Sequence, residues 1–128
     1  YTFTWIEFLD EIPTPNQVFV TVDPATGKVV TYIAKHQLIE SFDSPSVSFE
    51  KAKEIAEDTY SRETGVKDLT VGESLLGEPA LEIILVDGEQ HLAWTVEVRE
   101  TSTDDGIEMG ALFFIDAHTE AVLQIVGF

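Results

Sequence analysis

Three histidines, His36, His91 and His118, and 24 acidic side chains are the groups in this 128-residue chain that could hold a cation or move a proton. The tightest grouping is Asp116-Ala117-His118-Thr119-Glu120, where a turn can converge short side chains on a metal. With no second ligand motif beside them, the same residues read more readily as the solvated tip of a hairpin. Asp104-Asp105-Gly106 with Glu108 supplies oxygen donors but lacks the alternating ligand spacing of a calcium loop, so it reads as an acidic hairpin loop. Glu82 and Glu97 form a candidate carboxylate pair of the kind glycoside hydrolysis needs. Strand alternation places both on the outward face of one hairpin, where acidic residues ordinarily serve solubility. A nucleophile would have to be serine, because cysteine is absent. Gly72-Glu73-Ser74-Leu75-Leu76-Gly77 misses a nucleophile elbow at Leu76 and reads as a strand irregularity. Glycine-rich phosphate loops, His-Glu-x-x-His and dinucleotide fingerprints are missing. No catalytic, cofactor-binding or metal-binding residue is assigned on these grounds, and the chain is read as not an enzyme. Trp5 and Trp94 each have a sugar-stacking and a core reading; Trp94 shares an apolar stripe with Leu92 and Val96, which favours the core.

With 24 acidic residues against 7 lysines and arginines, the formal charge is −17. Such a surface repels phosphate backbones and anionic lipid, so nucleic acid is not expected as a partner. The apolar content of 44% is too high for a disordered acidic tail. The longest apolar runs fall far short of the ~20 residues of a spanning helix, so this segment is not expected to insert in a membrane. Tyr1 is no initiator methionine, and the chain reads as a processed chain or an excised piece of something longer, which leaves room for a leader or anchor.

The elements that would position these residues are mostly strands. Val18, Val20 and Val22 alternate with Phe19 and Thr21, and Val29 to Ala34 follows after Asp23-Pro24-Ala25-Thr26-Gly27. Proline presets the turn, and Gly27 can take the left-handed conformation that lets the next strand bulge into register. Leu81 to Val86 and Leu92 to Val98 flank Asp87-Gly88-Glu89-Gln90 as a second hairpin. In its return strand Leu92, Trp94, Val96 and Val98 point one way and Ala93, Thr95, Glu97 and Arg99 the other, which predicts a sheet dry on one face only. Ala111 to Ile115 and Ala121 to Val126 make a third hairpin. The dry face needs a cover, and helical spacing of Phe49, Ala52, Ile55, Ala56, Thr59 and Tyr60 predicts a helix from Phe49 to about Thr64. Ser48 is placed to cap its start and Gly65 to close its end. The expected class is therefore α+β, one long helix packed on a curved antiparallel sheet.

Val18–Val30 can be laid over Ala111–Leu123 with Asp, Thr and Val in the same places, an offset of 93, while Trp5 against Trp94 gives 89. This predicts three units: residues 1–36 as the last three strands of a partial repeat, 37–47 as a linker and 48–128 as a complete unit.

The strings Phe49-Glu50-Lys51-Ala52-Lys53-Glu54-Ile55-Ala56, Leu81 to Leu85, Leu92 to Val98 and Phe114-Ile115-Asp116-Ala117-His118-Thr119-Glu120-Ala121-Val122-Leu123 resemble the PepSY domain and its relative in the propeptides of thermolysin-like proteases. The resemblance covers about residues 46–128 and, more weakly, 1–36. It departs from the family at Glu120, where glycine is usual, so that turn is expected to be strained or reshaped. It implies a cystatin-like fold and a non-catalytic, extracytoplasmic module, secreted or anchored at the cell surface. Its implied partner is a peptidase or envelope protein, which it restrains or chaperones. A small-ligand or peptide-binding domain and a structural spacer of a cell-surface protein are the alternatives.

Overall fold

The computed structural model describes residues 1–75, 77–101 and 108–128. Its elements run β1 (Thr2–Leu9), β2 (Ile12–Val22), β3 (Val29–Lys35), α1 (Phe49–Thr64), β4 (Leu69–Gly72), β5 (Leu81–Val86), β6 (Glu89–Glu100), β7 (Gly110–Asp116) and β8 (Val122–Gly127). The strands form a three-stranded sheet, β1-β2-β3, and a five-stranded antiparallel sheet carrying the helix, so the class is α+β with extra N-terminal strands.

The helix begins and ends where the residues dictate. Ser48 is extended and its hydroxyl accepts the Lys51 N–H at 3.1 Å; Gly65 lies at φ 79° and donates its N–H to the Ser61 carbonyl at 2.8 Å. Ala52, Ala56 and Tyr60, four apart, are buried against Val96, Val98, Phe113 and Ile115. Small alanines let the helix axis approach the sheet closely, and the Tyr60 hydroxyl donates to Glu100 at 2.7 Å.

β6 is the centre of the larger sheet. β7 pairs along one side of it and β8 beyond that, whereas β4 and β5 share the other side end to end, β4 against Glu97–Glu100 and β5 against Glu89–Trp94. The chain leaves the sheet between Gly72 and Leu81, which is where the near-elbow segment lies. Asp87 and Gly88, at φ 51° and 81°, make the β5–β6 turn alone, and pairing continues to Val86 and Glu89.

The expectation of one dry face fails on β6. Ala93, Thr95 and Glu97, on the face opposite α1, are all buried. The β4–β5 excursion folds over them, with the Leu75 N–H on Glu97 Oε2 at 3.3 Å, and the Phe128 ring lies against the neighbouring Arg99. Nor does the helix cover the whole of its own side. Ile83, Leu92 and Ala117 form a second cluster roofed by Leu9, Ile12, Ile39 and Phe42. Residues 37–47 are correspondingly tied down: the Gln90 side chain bridges Glu40 and Leu38, Asn16 brackets Gln37, and Trp94 Nε1 donates to the Val47 carbonyl at 2.7 Å.

The two three-strand sets share one pairing pattern. Val18 faces Trp5 and Ala34, Ala111 faces Val98 and Gly127, and the partners stay 93 residues apart throughout. A bulge between Thr21 and Val22 recurs between Phe114 and Ile115. This register aligns Trp94 with Tyr1 and Trp5 with Val98. The 89-residue offset that matched the two tryptophans is thus corrected, because identity of one large residue was outweighed by the ladder. Trp94 packs on Phe49 at 5.5 Å between centroids, whereas Trp5 is 56% exposed.

Candidate functional site

The residues of the third hairpin turn are committed to holding the turn. Asp116 accepts the backbone N–H groups of His118 and Thr119 at 2.8 and 3.0 Å, and its other oxygen lies 2.9 Å from His91 Nδ1. Burial pushes the Asp116 carboxyl up, but these hydrogen bonds outweigh burial and hold it below the usual aspartate range. His118 Nε2 faces the Asp43 carbonyl at 2.9 Å, across the turn from Asp116. Glu120 stands at φ 68° and repeats the bond made by Gly27, its N–H reaching the Asp116 carbonyl at 3.2 Å. The turn therefore keeps the glycine shape with a glutamate in it. Among the described residues no group of three or more His, Cys, Asp or Glu is disposed to hold a metal ion. His36 follows β3 and borders a hollow with Trp5 and Tyr32. Asp104-Asp105-Gly106 lies outside the described residues; Glu108 pairs with Arg99 at 2.6 Å.

Glu82 and Glu97 do share a face, as alternation requires, but that face is not solvated. Glu97 is 3% exposed, and Arg99 grips it with two nitrogens at 2.8 and 3.3 Å. An acid can sit there because a guanidinium and a backbone N–H replace its water. Glu82 is only partly buried and accepts the Thr95 hydroxyl at 3.3 Å. Burial first, then the charge of Glu78, raises its pKa, which the Thr95 bond partly opposes. The two carboxylates belong to different surroundings, one locked in an ion pair and one facing a groove.

That groove, about 700 Å³, runs between the two sheets where β2 passes β5. Ile6, Phe8, Pro13, Pro15 and Leu85 line it with Glu82 and Lys35. Sequence reading missed it because its walls come from strands more than 40 residues apart, and no strand alone carries a distinctive motif.

A second feature is the outer edge of β8. The strand Val122-Leu123-Gln124-Ile125-Val126-Gly127 carries no charge and no proline. Among the described residues no strand pairs with its far side. Gly110 and Phe128 exchange both backbone hydrogen bonds, at 3.3 and 3.0 Å. Antiparallel alternation then aims the backbone groups of Gln124 and Val126 at β7, and those of Ile125 and Gly127 outward, up to the bulge at Leu123. Natural edges are usually guarded by charge, proline or a bulge, and past the bulge at Leu123 the stretch from Gln124 to Gly127 carries neither charge nor proline.

The family model described as peptidase propeptide and YPEB domain, PepSY, matches residues 46–125, which run from just before α1 into β8. No curated protein and no solved structure matches the chain.

Proposed function

The chain belongs to the PepSY family, and from that premise we propose that it is a non-catalytic, extracytoplasmic module that binds and restrains a peptidase by adding a strand at β8. The observation that carries this reading is an edge of six uncharged residues on a chain of net charge −17. An uncharged edge presents backbone groups ready for pairing. Strand addition draws its affinity from main-chain hydrogen bonds, so it requires no reactive side chain. No helix among the described residues is long and apolar enough to cross a membrane.

The test is inhibition of a thermolysin-like metallopeptidase by the purified chain. Saturable inhibition is expected, weakened at least tenfold by Ile125→Pro, which removes an outward N–H and leaves the β7 ladder intact. Equal inhibition by the variant would reject the edge, and no inhibition by either protein would reject the peptidase.

The groove between β2 and β5 favours a second reading, in which a short apolar peptide or small ligand binds there. Concave, largely apolar sites with few polar groups are the usual form of such pockets. Phe8→Lys would abolish such binding and leave inhibition through β8 unchanged.

A further inference from the structure

The shared register makes it possible to say which residues of the first sheet stand where α1 lies on the second. α1 covers Trp94, Val96 and Val98 of β6 and Ala111, Phe113 and Ile115 of β7. Subtracting the common 93 gives Tyr1, just ahead of β1, Phe3 and Trp5 of β1 and Val18, Val20 and Val22 of β2. All of these counterparts are apolar or aromatic. Yet Tyr1 is 75% and Phe3 48% exposed, and the rings of Phe3 and Trp5 stack on each other at 6.1 Å with nothing described above them. The opposite face of the same sheet, through Ile6, Gln17 and Lys35, is the one turned toward β5.

We infer that this face is a docking surface for one amphipathic helix of a protein partner, seated as α1 is seated on β6 and β7. The seat specifies the occupant. A sheet surface of this register accepts a helix whose apolar side carries small residues four apart, as Ala52 and Ala56 do, flanked by larger ones at the positions of Phe49 and Tyr60. Tyr32, 66% exposed, borders the seat as its counterpart Ile125 borders that of α1. The polar side of the helix is cationic, because a net charge of −17 attracts a basic partner and repels an acidic one. The inference is independent of the β8 edge, which lies on the other sheet.

The experiment uses the whole chain and a synthetic helical peptide that keeps the apolar residues of α1 and carries lysine at its polar positions. Titration calorimetry is expected to give 1:1 binding with micromolar Kd, with a blue shift in the emission of exposed Trp5. A double variant, Phe3→Lys with Trp5→Lys, should bind at least tenfold more weakly while melting at the same temperature. A scrambled peptide of equal charge should bind no better than that variant. Equal binding by the scrambled peptide or by the variant would reduce the interaction to charge attraction and overturn the inference. Absence of binding at millimolar peptide, or sedimentation showing that the face is closed by a second copy of the chain, would overturn it as well.

Discussion

Glu120 is the residue at which local and tertiary demands conflict most plainly. The turn it closes has the same hydrogen bonds as the Gly27 turn, yet its φ of 68° is a conformation that costs a side chain about 1 kcal/mol. Glu120→Gly is expected to raise stability by about that amount in denaturant unfolding, and Gly27→Glu to lower it similarly. Tyr60 gives a second measurement. Burial, then the Glu100 hydrogen bond and charge, push its pKa up to about 12 from 10.0. A raised phenol pKa means that the folded state holds its proton longer. The stability tied to that proton is whole below pH 10 and is lost as the pH climbs through 12. Absorbance titration should show one of the three tyrosines ionising last, and Tyr60→Phe should remove that late step. The turn glutamate could be located from the sequence, because its neighbours matched the first turn. The burial of Glu97 could not, since alternation tells which residues share a face but not whether a distant loop will fold over it.

At the scale of elements, α1 was legible because capping and periodicity agree: Ser48, Gly65 and the alanines all specify one helix in one register. Ser48→Ala should cost about 1 kcal/mol in thermal or denaturant unfolding, with the helix still formed, because packing on Phe113 and Ile115 rather than the cap supplies most of its stability. The hairpins were legible from Asp-Gly and Asp-Pro-x-x-Gly turns. The β1–β2 tip was not, because Asp10 and Glu11 take φ 49° and 68° without a glycine to announce it. That tip turns Leu9 and Ile12 onto Leu92 and Ile83, so missing it also hid the contact that joins the two sheets. The roof over the larger sheet is accordingly composite, with the helix on one half and the tip and residues 37–47 on the other.

For the whole molecule, the charge is the organising fact. A surface of −17 disfavours indiscriminate association, and against it two uncharged surfaces stand out, the outer edge of β8 and the aromatic face of β1 and β2. The candidate sites were the least legible part of the sequence because they are made of backbone groups and of faces, not of reactive side chains at fixed spacing. The family membership was legible from the strings of α1 and of the last four strands, which fall within the matched span. Amide hydrogen exchange of the chain, alone and with a saturating thermolysin-like metallopeptidase, tests the central claim most directly. Slowed exchange at Ile125 and Gly127, whose N–H groups face outward from β8, is predicted. Unchanged exchange at those two amides in a complex that demonstrably forms would contradict it.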